Sequence, residues 1–371
     1  MRSSSPAILV VVLVLGGCGG ATAPGASDAG PDGRLQLDAV APEAAPLDAA
    51  PPPDAGPPDG TPYVPTPGDI QFAAVSAAPA GEQILFNDWM PAPNRVLTMQ
   101  PDGSGAATVF EAYRVWSMGA ARDGSRLAFS CGDPQQELHY GIPIGDAIQH
   151  SWLYDMATQT VQLLAYGNIN DECHTFAPGD TAIYVCRRYD FQPDGSNRGW
   201  RLGRLDLPGG DFTFLTPDVD RDWALWPQPT LDGSALYYGR IQIAGSSQTR
   251  SVMRLPLPPG AAELVRANAS VITLSPDGAR LAFQNWADGQ RLYVVGLDGN
   301  GLTKVADRQN ATTARWSPDG ARIAFLWNDS ALNCSHIETV AADGSEATAP
   351  QRLRDCGQTG EMITEMEWIV R

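Results

Sequence analysis

Short runs with a period of two recur along most of the chain, among them Arg280-Leu-Ala-Phe283, Arg322-Ile-Ala-Phe325, Leu127-Ala-Phe129 and Ile183-Tyr-Val185. That period sends successive side chains to opposite faces and predicts strands packed on one or both sides. Two stretches are near copies, Leu274-Ser-Pro-Asp-Gly-Ala-Arg-Leu-Ala-Phe283 and Trp316-Ser-Pro-Asp-Gly-Ala-Arg-Ile-Ala-Phe325, with Pro276 and Pro318 lying 42 residues apart. Ser-Pro-Asp-Gly suits a tight turn, because proline presets φ at its second position and Asp and Gly tolerate the turn conformations of the third and fourth. Each copy therefore reads as a β-hairpin. After the first come a third strand, Arg291-Leu-Tyr-Val-Val-Gly296, an Asp298-Gly299 turn and a fourth strand, Leu302-Thr-Lys-Val-Ala306. Four antiparallel strands in roughly 40–45 residues make one blade of a β-propeller.

Weaker turns precede Ile84, Leu127, Ile183 and Leu236. With the two strong copies they fall at positions 79, 122, 178, 231, 276 and 318, separated by 43, 56, 53, 45 and 42 residues. The two long gaps predict insertions, one between Cys131 and Ser151 and one around Arg187 to Arg198. Trp116, Trp226 and Trp316 sit in or near the strand before the turn, the innermost of a blade, and Trp368 in the last segment matches them. A first strand with no blade after it is what ring closure needs, so the C-terminus is expected to complete the first blade. Ile70 to Val75 then lies beside it or forms the outer strand of the last blade. No sustained helical periodicity occurs. The fold class is all-β, a six-bladed propeller of four-stranded antiparallel blades over 69–371, expected to be a monomer.

The Trp-Ser-Pro-Asp-Gly-x-Arg-Ile-Ala-Phe pattern resembles the repeats of the TolB-like propeller family, WD-repeat-like in architecture. The likeness is strong between Ser270 and Asp355 and weaker over the first four blades. It implies a six-bladed propeller of the bacterial envelope that binds other proteins. The chain departs from TolB itself in its lipid-anchor signal and in lacking an α/β domain before the propeller.

That signal is Arg2, the short apolar run Ala7 to Leu15, and Leu15-Gly16-Gly17-Cys18, which resembles a bacterial lipobox. The resemblance implies cleavage before Cys18 and lipid attached to it. With Gly19 following the cysteine, the outer membrane is favoured over the inner. Residues 19–68 are rich in Ala, Pro and Gly and carry seven acids against Arg34. They cannot bury enough surface to offset the entropy of ordering, and read as a disordered, self-repelling spacer. The whole chain has a formal charge of −17. That balance argues against nucleic acid and against docking on anionic lipid, leaving the anchor as the only membrane contact.

Candidate chemistry is sparse. Five cysteines remain after Cys18, in a context where disulfides are expected. Cys334 and Cys356 centre on the Asp343-Gly344 turn, and Cys173 and Cys186 on the Gly179-Asp180 turn, so each pair should face across a hairpin. Cys173 pairing with Cys131 is the alternative, and one thiol is left over either way. His139, His150 and His174 lie near one another in sequence and, with cysteine sulfur, are candidates for a zinc-type site. Asp218, Asp220 and Asp222 alternate in a manner reminiscent of calcium ligands, though no glycine or terminal Glu of an EF-hand accompanies them. Neither a Gly-x-Ser-x-Gly elbow nor a phosphate-binding Gly-x-x-x-x-Gly-Lys loop is present. The favoured function is a non-catalytic scaffold, without a cofactor, for an envelope or extracellular protein. The rivals are a metal-dependent enzyme of the oligogalacturonate-lyase kind and a glycan-binding propeller using Trp116, Trp226, Trp316 and Trp368 as channel lining.

Overall fold

The computed structural model describes residues 64–88, 93–135, 148–167, 169–189, 199–356 and 362–371. Cys18 and His139, and most of both predicted insertions, lie outside them. Apart from one short 3-10 turn at Trp286–Asp288, every described element is a strand.

The strands divide into six antiparallel blades, five of four strands and the first of five: Met366–Val370, Glu82–Asp88, Asn94–Met99, Ala107–Ala112 and Ala73–Ala74. The second blade runs Val115–Ala120, Arg126–Gly132, Gln149–Asp155 and Thr160–Ala165, and the third Ile169–Phe176, Ala182–Tyr189, Arg201–Asp206 and Phe212–Phe214. These two share a sheet through a single parallel bridge, Gln149 opposite Asn170. The fourth blade runs Asp222–Pro229, Ala235–Ala244, Ser247–Pro256 and Glu263–Ala267, and the fifth Ala269–Leu274, Arg280–Asn285, Arg291–Gly296 and Thr303–Ala306. The sixth comprises Ala311–Trp316, Arg322–Asp329, Cys334–Ala341 and Gln351–Arg354. The inner strands neighbour one another in sequence order round a circle, and Met366–Val370 meets both Val115–Ala120 and Ala311–Trp316. The ring is closed.

Closure uses the C-terminus. Met366–Val370 is the inner strand of the first blade, pairing from Glu82 opposite Val370 to Phe86 opposite Met366. Asn87, fully buried, clasps the seam. Its Oδ1 accepts from the Thr364 and Glu365 N–H groups at 3.0 and 2.9 Å, while its Nδ2 donates to Val115 O in the second blade at 2.9 Å. Arg371 reaches across to Met156 O at 2.9 Å. With the inner place taken, Ala73–Ala74 adds instead to the outer edge of the first blade, Ala73 opposite Glu111. Ile70 and Phe72 hold it there: Ile70 is fully buried, and the Phe72 ring lies 5.6 Å from Phe110.

The repeated turns owe their shape to local hydrogen bonds. The Asp277 carboxylate accepts from the Ser275 hydroxyl and the Ala279 N–H, and Arg280 N–H donates to Ser275 Oγ at 2.9 Å. Asp319 repeats the pattern with Ser317 and Ala321. Gly278 and Gly320 take φ of 69°, open to glycine at little cost. Both carboxylates are held below the usual aspartate range, chiefly by the serine hydroxyl bond. Each turn also joins blades. Arg280 donates to Gly320 O of the next turn at 2.9 Å and lies over the Trp316 ring, and Arg126 reaches Asp180 O likewise.

Candidate functional site in the central channel

The inner strands line the channel, and their bulges decide what they present. Cys173, Trp226, Val271 and Thr313 occupy one position in four successive blades, each with positive φ of 57°, 54°, 47° and 39°. For a β-branched residue this conformation is strained, costing about 1–3 kcal/mol. The ladder registers skip beside Val271, Thr313 and Trp226, and another skip in the second blade falls at Trp116. A bulge re-aims the residues beyond it. Here these include Thr175, Gln228, Thr273 and Arg315, all of which line channel cavities. Close approach also fixes a glycine: a Cβ on Gly119 would stand 2.0 Å from the His174 carbonyl oxygen.

Three glutamates and one arginine gather in this wall. Thr364-Glu-Met-Glu-Trp368 is extended, so Glu365 and Glu367 share a face. Arg315, from the sixth blade, donates Nε to Glu367 Oε1 at 2.9 Å and NH2 to Glu365 Oε2 at 3.3 Å. Glu365 and Glu367 keep only 16% and 14% of their side-chain surface. Burial pushes the Glu365 carboxyl up to about 8, with Glu367 and Glu172 adding repulsion that outweighs part of the Arg315 attraction. Burial likewise lifts Glu172, in the third blade, to about 7, against the pull of Arg188 and a hydrogen bond from Trp116. Two of the carboxyls thus hold protons near neutrality, with Arg315 set against Glu365 and Glu367 and Arg188 against Glu172.

Beside them runs a buried relay. Ser151 Oγ donates to Asp171 Oδ2 at 2.7 Å, and His174 Nε2 lies 2.9 Å from the same hydroxyl. With that hydroxyl proton spent on Asp171, Nε2–H must donate to it. His174 Nδ1 then accepts from Ser117 Oγ at 3.3 Å. Arg187 grips Asp171 in a two-point fork at 2.6 and 2.7 Å. Burial holds His174 neutral, its pKa down at about 4.

At one end the channel opens into a cavity of about 180 Å³. Leu274, Pro276, Trp316 and Trp368 give it an apolar side, while His174, Thr175, Gln228, Thr273 and the Arg315–Glu367 pair make the larger part of its lining polar. Trp226 lines the narrower part, and Trp116 turns its carbonyl to the Thr364 hydroxyl at 2.9 Å. His150 is buried with Nε2 3.2 Å from Gly167 O. Among the described residues, His150 and His174 do not join a third ligand-type side chain in a group tight enough for a metal. Asp222 is engaged by Arg240, and Asp218 and Asp220 lie 3.9 and 3.8 Å from Arg201 and Arg221.

Cys173 is disulfide-bonded to Cys186, and Cys334 to Cys356. Among the described residues Cys131 is the free thiol, fully buried, with its pKa pushed up by burial. The bulge at Cys173 shifts the ladder so that Glu172, not Cys173, stands opposite Cys186. Sequence reasoning did not single out Glu172, Arg315, Glu365, Glu367 or His336. The first four come from three blades far apart in the chain. The one local signal was the pair of acids at period two in an inner strand.

The chain matches no described protein family and no curated protein. Solved structures are similar in fold. TolB from Acinetobacter baumannii superposes with a TM-score of 0.56 at 14% identity, over 80% of this chain and 68% of that one. A chain of Kuenenia stuttgartiensis hydrazine synthase gives 0.60 at 10% identity, over 79% of this chain and 47% of its own length. A chain of the nidogen/laminin complex gives 0.57 at 8%, over 78% and 99%. Such different proteins on one architecture establish the β-propeller and nothing about activity.

Proposed function

We propose that this chain is a lipid-anchored, non-catalytic binding propeller of a bacterial envelope, and that it presents the channel mouth to an envelope or extracellular protein. The observation that carries this reading is the cavity at that mouth. At about 180 Å³ it falls below the roughly 300–1,000 Å³ of pockets that enclose small-molecule ligands. Its size, with Trp316 and Trp368 set beside a mostly polar lining, suits one or two amphipathic side chains protruding from a partner, the anchor-in-pocket arrangement of protein interfaces. Arg315 and Glu367, paired to each other, supply a polar contact without an uncompensated charge. The acylated Cys18 and the acidic spacer hold the propeller at the membrane within reach of such a partner.

The test is capture from envelope extracts by the detergent-solubilised full chain and by its Pro276→Arg variant. The fold accepts arginine there, since the second blade places Arg122 at the matching turn position. The wild type should retain a partner in near-equal amount, and the variant should lose it at least tenfold with its melting temperature unchanged. Failure of the wild type to retain any protein, or equal retention by both, would sink the reading. One observation favours a second reading, a polysaccharide-cleaving enzyme: Glu172 and Glu365 hold protons to about 7 and about 8, suited to general acid work. Depolymerase activity of the full chain, lost in Glu365→Gln, would put that reading first.

A further inference from the structure

A second cluster lies away from the channel, on the outer half of the sixth blade. Cys334 opens the strand Cys334–Ala341, and the period of two puts His336 on the same face. The next strand runs back beside it, Ile337 opposite Arg354, and so returns Cys356 to His336. His336 Nε2 lies 3.9 Å from Cys334 Sγ and 3.7 Å from Cys356 Sγ. Asp329, opposite Cys334 in the ladder, brings Oδ2 to 3.9 Å from the same nitrogen. Its other oxygen accepts from the Ala331 and Leu332 N–H groups at 2.8 and 3.3 Å, which fixes the carboxylate. The His336 ring is buried and stacked on Trp327, centroids 5.0 Å apart and planes at 19°.

We propose that Cys334, Cys356, His336 and Asp329 form a latent zinc-type site, closed by the disulfide and opened by reduction. Two sulfurs, an imidazole nitrogen and a carboxylate oxygen are a tetrahedral donor set for zinc. Bonds of about 2.0–2.3 Å imply tetrahedral edges of about 3.3–3.8 Å, close to the nitrogen–sulfur separations already present. The sulfurs must part, and the Asp329 carboxylate, which lies outside the tight group formed by Cys334, His336 and Cys356, must close on them. An external dithiol gives two electrons and two protons to the bridge and becomes a disulfide itself, leaving Cys334 and Cys356 as thiols. Zinc then displaces both thiol protons and is held by two thiolates.

The histidine must change tautomer. In the bridged form Nδ1 accepts the Cys356 N–H at 3.2 Å and faces the Arg352 guanidinium, so the ring proton sits on Nε2, toward the sulfurs. Metal binding moves it to Nδ1, where Asp355 Oδ1 lies 3.4 Å away; the Cys356 N–H and Arg352 then lose Nδ1 as acceptor, Arg352 keeping Glu338. That is the carboxylate–histidine–metal arrangement which orients a ligand ring. The excess negative charge of two thiolates and a carboxylate on zinc faces Arg308 and Arg352, both lying over Trp327. The other disulfide, Cys173–Cys186, belongs to no such group among the described residues and serves as an internal control.

The experiment reduces the purified full chain anaerobically with a phosphine and titrates it with cobalt(II), then displaces cobalt with zinc against a chromophoric chelator. Reduced protein should take up one cobalt per chain with the intense visible bands of a tetrahedral thiolate complex, and bridged protein none. Cys173→Ser/Cys186→Ser should leave uptake intact, and Cys334→Ser/Cys356→Ser should abolish it. His336→Gln, which keeps a flat polar group on Trp327, should weaken zinc at least tenfold and blue-shift the cobalt bands. Asp355→Asn should weaken it about 10–100-fold with the bands in place. The proposal is overturned if reduced wild type takes up no cobalt, if the spectrum is octahedral, or if uptake survives in Cys334→Ser/Cys356→Ser.

Discussion

Replacing Glu365 by glutamine tests the electrostatics of the channel directly, because it substitutes a permanent neutral isostere for a carboxyl that keeps its proton to about 8. In the unfolded chain Glu365 releases that proton near 4.5, its ordinary value. Between those limits the folded state binds more protons, so stability falls as pH rises through the window and levels off above it. Each pH unit across it is worth about 1.36 kcal/mol, which bounds the loss at roughly 5 kcal/mol. Glu172, lifted to about 7, acts with the same sign over a narrower window. His174 acts oppositely: its folded pKa lies at about 4, below the ordinary 6.5, so its contribution is complete above 6.5 and is lost as pH drops toward 4. The clean interval is therefore pH 6.5 to 8.5, where the glutamates act alone. Urea unfolding of wild type and Glu365→Gln across pH 5 to 8.5 should give nearly equal stabilities at pH 5 and a variant more stable by a few kcal/mol at pH 8.5. A stability difference that does not change with pH would refute the assignment of a proton to Glu365.

Removing the Asn87 side chain by Asn87→Ala leaves two half-buried N–H groups, of Thr364 and Glu365, without their acceptor. It should cost about 1–3 kcal/mol in urea unfolding, and a loss below 1 kcal/mol would mean the seam is held elsewhere. Arg280→Ala removes the bond to Gly320 O and the contact with Trp316, for about 1–2 kcal/mol in the same assay. Cys131, fully buried, should react with a thiol reagent only as fast as the domain unfolds, and rapid labelling under native conditions would contradict its placement.

Local features were legible in the sequence, whereas features assembled across the ring were not. Ser275-Pro-Asp-Gly278 carries its own instructions, since the serine and aspartate bond backbone within the turn, and the repeated phrase gave the blade and its period. Trp368 marked the closing strand because it stands where Trp316 stands in its blade. The place of Ala73–Ala74 was not legible, for an edge pairing of two residues has no pattern of its own. The acid cluster was hidden for another reason. Glu172, Arg315 and Glu365 meet only because three inner strands converge, and each alone looks like an ordinary polar strand position. His336 went unnoticed between two cysteines assigned to a bridge, though Cys334-Ser-His336 shares a face in any strand.

The strained backbone at the inner strands separates what the ring requires from what the site adds. A β-branched valine and threonine at positive φ contradict local preference, and such conflicts are expected where function imposes them. Yet Cys173, Trp226, Val271 and Thr313 take the same conformation at the same position in four blades whose side chains have little in common. The matching residues of the other two inner strands, Ser117 and Glu365, do not take it, so the bend belongs to these four blades as a set rather than to chemistry at one of them. Individuality enters two residues later, where Thr175, Gln228, Thr273 and Arg315 succeed the bends, with Glu367 completing the wall from the first blade. Of these only Arg315 and Glu367 are charged, and they face each other across the seam where the C-terminal strand closes the ring. The ion pair beside the candidate binding cavity is thus also a clasp of the fold. A partner that competes for Arg315 must therefore act on closure and recognition together.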